Sequence, residues 1–141
     1  MKAWKTPGRA AALLLAGALS MLPAVAQDEE VQTAGNVSWV SGGTGEESRE
    51  RLAALGTGFG FNLKVTFALA GGDYLSAVEV RIVDRAGKVV LQTTTEGPIL
   101  LARLPAGSYD FFASVDGREQ KQRLTVTAGK MGVTVFRWPA P

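Results

Sequence analysis

The sequence predicts an all-β fold: an antiparallel sandwich of seven to eight strands with one short N-terminal helix. Three observations carry it. From Phe61 onward apolar residues recur at every second position, the period of a half-buried strand. Short turn sequences punctuate these runs at Asp84-Arg85-Ala86-Gly87, Pro105-Ala106-Gly107, Asp116-Gly117 and Ala128-Gly129. Only one stretch, about Gly45 to Leu55, carries helical spacing.

In chain order, Asn36 to Val40 reads as a first strand. Thr44 stands three residues before Glu47, the spacing of a capping box, and Glu46 and Glu47 suit the positive end of a helix. Ser48, Leu52 and Leu55 then share one thin apolar stripe, Glu47 and Arg51 are four apart, and Gly56 suits a stop. Phe61, Leu63, Val65, Phe67 and Leu69 alternate with Asn62, Lys64, Thr66 and Ala68. Val78, Val80 and Ile82 start a hairpin that returns from Lys88 to Thr95. Further strands are expected at Ile99 to Leu104, Ser108 to Val115, Glu119 to Thr127 and Val133 to Trp138. Of the turns, Asp116-Gly117 is the strongest two-residue hairpin signal.

The first 26 residues have another character. Lys2, Lys5 and Arg9 precede an apolar run from Ala10 to Leu22, then Pro23 and the small-residue site Ala24-Val25-Ala26, the pattern of a secretory signal peptide. The run is short of the ~20 residues that span a bilayer, and acidic residues follow at once. The expected mature chain begins at Gln27 and is periplasmic or secreted, without stable membrane insertion. Removing the leader takes three of 15 basic and none of 13 acidic residues, leaving 12 against 13 and a net charge of −1. That balance offers nothing to nucleic acid. The expected organisation is thus a leader over 1–26, a mobile lead-in over 27–35, a strand and helix over 36–60 and a sandwich over 61–138, the last two forming one domain.

The chain has no Cys and no His, which excludes disulfides, thiolate zinc sites, His-ligated metals and Ser-His-Asp catalysis. No metal or cofactor is expected. Glu46, Glu47 and Glu50 read as a solvated helix face without a regular calcium loop, and Asp73, Asp84, Asp110 and Asp116 read as turn residues. Ser41-Gly42-Gly43-Thr44-Gly45 lacks the Lys-Ser/Thr ending of a phosphate loop and reads as a connector. Gly107 is expected to matter more to folding than Gly43. Arg103 is expected to face solvent.

Trp39, Tyr74, Phe112, Phe136 and Trp138 are the candidate binding residues, because aromatic rings anchor sugars or partners with little loss of entropy. If Tyr109, Phe111, Ala113 and Val115 face the core, Phe112 points away, and on the last strand Phe136 and Trp138 lie opposite to Val133 and Val135. Outward rings need a covering layer, so the helix and its Trp39 lead-in are expected on one outer sheet face.

Leu104-Pro105-Ala106-Gly107-Ser108-Tyr109, followed by an alternating strand, an Asp-Gly turn and a Thr/Val-rich strand, resembles the carboxypeptidase regulatory-like domains of the prealbumin-like, carbohydrate-binding-like sandwich class. The resemblance covers about residues 62–138. Ser41-Gly42-Gly43-Thr44-Gly45-Glu46-Glu47-Ser48-Arg49 also resembles the start of a group of small exported bacterial proteins with this domain, which implies no activity. The family implies a non-enzymatic binding or interaction module with a protein or glycan partner; a carbohydrate-binding accessory role and a carboxylate-dependent hydrolase stay open as alternatives. Transthyretin-related hydrolases share the architecture, but their sites depend on His.

Overall fold

The computed structural model describes residues 29–140, so the expected signal peptide and its cleavage site lie outside the described residues. Among the described residues nine strands and one helix follow in order: β1 (Gln32–Ala34), β2 (Val37–Gly42), α1 (Glu46–Gly58), β3 (Leu63–Leu69), β4 (Glu79–Val83), β5 (Val89–Thr94), β6 (Ile99–Arg103), β7 (Gly107–Val115), β8 (Arg118–Val126) and β9 (Gly132–Trp138). They build a sandwich of two sheets, ordered β1-β2-β6-β3-β9 and β5-β4-β7-β8. The fold class is the one expected from sequence, with two differences in detail. The segment read as a lead-in contains β1, which pairs with β2 through Gln32 opposite Trp39. The β3–β9 pair is parallel, with Phe67 beside Phe136.

Turn chemistry sets the hairpins. Asp84 Oδ1 accepts from the Ala86 and Lys88 backbone N–H groups, closing β4 onto β5. Asp116 and Gly117 both take positive φ, 50° and 77°, as a two-residue turn with the twist of its strands requires. Tyr109 Oη donates to the Pro105 carbonyl at 2.6 Å, so the Leu-Pro-x-Gly-x-Tyr sequence locks its own corner in the manner of a tyrosine corner. Burial raises the Tyr109 phenol above its ordinary pKa, with Asp84 adding to the rise. Asp110 belongs to no turn: it lies within β7 and bonds Arg123 Nε across to β8 at 2.9 Å.

The main core lies between the sheets. Leu63, Val65 and Phe67 of β3, Val80 and Ile82 of β4, and Phe111 and Ala113 of β7 all belong to it. Phe136 and Trp138 belong to it too, 0% and 1% exposed, which corrects the expectation that these two rings lie on an outer face. The two pairs do lie on opposite faces, but Val133 and Val135 are the exposed pair. Two large rings bury more area than two valines, and Phe136 meets Phe111 and Phe67 at centroid distances of 5.1 and 5.8 Å. Trp138 Nε1 donates to the Arg118 carbonyl at 3.0 Å.

A second, smaller apolar cluster lies on the other face of the five-stranded sheet. Val40, Ile99 and Leu101 meet Leu52 of α1 and Phe61 of the α1–β3 connection. Leu52 is 2% exposed. The helix therefore covers an outer sheet face, as expected, but Trp39 turns inward and packs against the main core. Phe61 also leaves its expected set, because β3 begins only at Leu63.

The helix start departs from the capping box. Gly45 is the N-cap residue and makes no side-chain cap bond. Ser48 replaces Thr44, its hydroxyl accepting from the Gly43 N–H at 2.8 Å and donating to the Glu29 carboxylate. Arg51 Nε donates to Glu29 Oε1 at 2.6 Å. Residue 29 thus ties the incoming chain to the first turns of α1. The Arg51 hydrogen bond holds the Glu29 carboxyl down at a pKa of about 2, with the Ser48 bond helping against burial.

Candidate functional site

The two outer sheet faces differ in kind. On the four-stranded sheet, Gln92, Arg81, Phe112 and Lys121 occupy neighbouring positions across β5, β4, β7 and β8. The Arg81 guanidinium carbon lies 4.0 Å from the Phe112 ring centroid, with the Lys121 ammonium 5.7 Å away. Arg81 also approaches Glu119 at 3.7 Å. Phe112 points outward as expected, yet Arg81 occupies one face of its ring in a cation–π contact. This is the polar solvent face of an ordinary antiparallel sheet.

On the five-stranded sheet, strand register aligns Val40, Leu101, Lys64 and Val133 in one row across β2, β6, β3 and β9. The helix covers the first two, and Val133, at the far end, is 65% exposed. Between the covered and uncovered halves lies a cavity of about 550 Å³, within the ~300–1,000 Å³ range of small-molecule sites. Leu52, Ala53 and Gly56 of α1 form one wall, and Ile99 and Leu101 of β6 form its base. Phe61 and Met131 close two sides. Arg49 and Lys64 are its two charged residues, and no carboxylate lines it among the described residues.

Local chemistry fixes these positions. Gly43 is buried with φ 98°, and a Cβ there would lie 2.9 Å from Ile99 Cδ1. A Cβ on Gly97 would lie 2.3 Å from the Gly42 carbonyl oxygen. The glycine-rich segment is thus a close crossing of β2 over the start of β6, and the Gly43 N–H that an anion would need is taken by Ser48. Gly107 has the positive φ expected of it, 155°, with open space around its would-be Cβ, whereas Gly43 carries steric crowding as well as positive φ, which favours the opposite order of the two glycines.

Asn62, next in the chain after the cavity residue Phe61, is held by the backbone of Leu104. Its side-chain amide donates to the Leu104 carbonyl at 2.9 Å and its Oδ1 accepts from the Leu104 N–H at 3.0 Å. This buried side chain extends the β3–β6 ladder by one step. Arg103 is exposed as expected and donates to the Phe59 carbonyl at 3.1 Å, holding the exit of the helix.

Of the five aromatic candidates, none lines this cavity. Phe136 and Trp138 are core, Trp39 is half-buried, and Phe112 lies on the opposite sheet. Tyr74, 58% exposed, stands on the β3–β4 connection opposite Ala68. The cavity is lined mainly by aliphatic and small residues, with Phe61 as its one ring among the described residues. Their signal was the run Ile99-Leu100-Leu101-Ala102: a strand apolar at successive positions is covered on both faces. No protein-family model matches this chain, and no curated protein matches it either.

Proposed function

We propose that the protein is a non-enzymatic binding module of the carboxypeptidase regulatory-like type, acting outside the cytoplasm after cleavage at Ala26, with the cavity beneath α1 as its site. The observation that carries this reading is the 550 Å³ space with an apolar base and side walls, bounded by a helix that covers only half of its sheet face. The space opens to solvent past the exposed Ala53, Thr57 and Gly60 while its base stays apolar, the concave form of a small-molecule site. The Leu104-to-Tyr109 corner, closed by the Tyr109–Pro105 bond, supports the family assignment. The basic, apolar and small-residue order of residues 1–26 supports export.

The carbohydrate reading has less behind it: the outward ring of Phe112 already holds Arg81 over one face, with the Lys121 ammonium 5.7 Å from its centroid, which leaves less of the ring open to a sugar. The test is titration of the purified protein with an environment-sensitive apolar fluorophore, beside Ala53→Phe, which introduces a ring into the cavity from a solvent-exposed helix position. Saturable binding by the parent and its loss in an Ala53→Phe variant with unchanged melting temperature supports the cavity as the site. Equal binding by both places the site elsewhere.

A further inference from the structure

The cavity joins two features that together select a ligand. Its base is made by Ile99 and Leu101 and flanked by Leu52 and Phe61, all buried residues of the second apolar cluster. Its charges are of one sign. Lys64 projects from β3 between Leu101 and Val133, half-buried, and has no hydrogen-bond or ion-pair partner among the described residues. Arg49 stands on the helix side of the same space, with a single long contact of 3.4 Å from Nη1 to the Gly43 carbonyl. An ammonium beside apolar groups loses part of its hydration and gains most from an anion that enters with its own apolar body. A neutral apolar ligand would leave Lys64 uncompensated, and a cationic one would meet repulsion.

Resting on the reading of the cavity as a binding site, we infer that its ligand is a single-chain amphiphilic carboxylate, a fatty-acid anion. Its hydrocarbon chain lies over Leu101 and Ile99 beneath α1, and its carboxylate sits between Lys64 and Arg49. The exposed Val133 and Val135, beside Lys64 and Thr66 on the edge strand, extend the apolar strip for a longer chain.

The test holds the chain constant and changes the head: decanoate, decanol and decyltrimethylammonium are titrated by calorimetry into the parent protein and into Lys64→Gln. Decanoate is expected to bind the parent about tenfold more tightly than decanol, the worth of one charge-assisted hydrogen bond, with the ammonium weakest. In Lys64→Gln, checked for an unchanged melting temperature, decanoate and decanol are expected to converge. Equal binding of decanoate and decanol to the parent, or a tenfold preference that survives in Lys64→Gln, overturns the inference about the head while the cavity remains the site. Failure of all three to bind the parent overturns the cavity reading itself.

Discussion

Removing the Leu52 side chain beyond Cβ isolates what attaches α1 to the sandwich. The helix is 13 residues long, carries Gly56 and Gly58, and has no basic residue in its last turn. Such a helix is marginal by itself in water, so its order depends on tertiary contacts. Among these, Leu52 is the one fully buried large side chain that α1 places against the sheet, resting among Val40, Phe61, Ile99 and Leu101. Leu→Ala in a packed core costs about 2–5 kcal/mol. The neighbouring cavity already lacks packing atoms, which places Leu52→Ala near 2–3 kcal/mol by the same scale. The loss should be local, because the main core between the sheets shares no residue with the smaller cluster. Native-state hydrogen exchange is the assay: amides of residues 49–58 should lose protection by a factor of roughly 30–150, the equivalent of that energy, while those of β7 and β8 keep theirs. Parent-like protection in the helix of Leu52→Ala, or an equal loss in β7, would refute the separation of the two clusters.

Trp138→Ala should cost about 3–5 kcal/mol in denaturant titration, because it removes a buried ring and leaves the Arg118 carbonyl without its donor. Gly97→Ala and Gly43→Val should each lose more stability than Gly107→Val, about 2–3 kcal/mol where the new Cβ meets Gly42 or Ile99. Gly56→Ala should raise the melting temperature, since helix propensity favours alanine by about 0.5–1 kcal/mol and its Cβ would sit 3.5 Å from Met131 Cε, an ordinary contact. Glu29, with a carboxyl pKa lowered from 4.5 to about 2, stabilises the native state above its ordinary pKa and stops doing so as pH falls through the folded value. Each pKa unit is worth about 1.4 kcal/mol, and solvent screening at the half-exposed Arg51 reduces the total to about 1–2 kcal/mol; the stability gap between parent and Glu29→Gln should close on acidification from about pH 5 to about pH 2.

The strands were legible because period-two alternation and turn residues are local signals. Asp84, Gly87, Asp116 and Gly117 place their turns by backbone chemistry that needs no partner elsewhere in the chain. Which face of a strand turns inward is not local. On β9 the alternation separates Val133 and Val135 from Phe136 and Trp138 in either assignment, and only pairing beside β3, with Phe136 against Phe67 and Phe111, decides it. The helix start fails as a local reading for the same reason: Thr44 has the capping spacing, but Glu29, 19 residues before Ser48, supplies the bond that anchors the first turns. The cavity is less legible still, because Lys64 reads from sequence as one more solvent-facing residue of an alternating strand.

Lys64 gains its meaning from the row in which it stands. Val40 and Leu101 lie under the helix, while Val133 lies beyond its reach on the edge strand. The boundary of the helix cover therefore falls on β3, where the chain places a long cation rather than the short polar or apolar residue that would close the packing. On the helix side of that boundary stands Gly56, whose would-be Cβ has room before Leu101 Cδ1 at 3.8 Å. Alanine there would strengthen the helix and begin to fill the space. Gly56 thus leaves a volume open at the point where Lys64 leaves the helix cover. An open volume beside a cation is the arrangement that the proposed amphiphilic carboxylate requires.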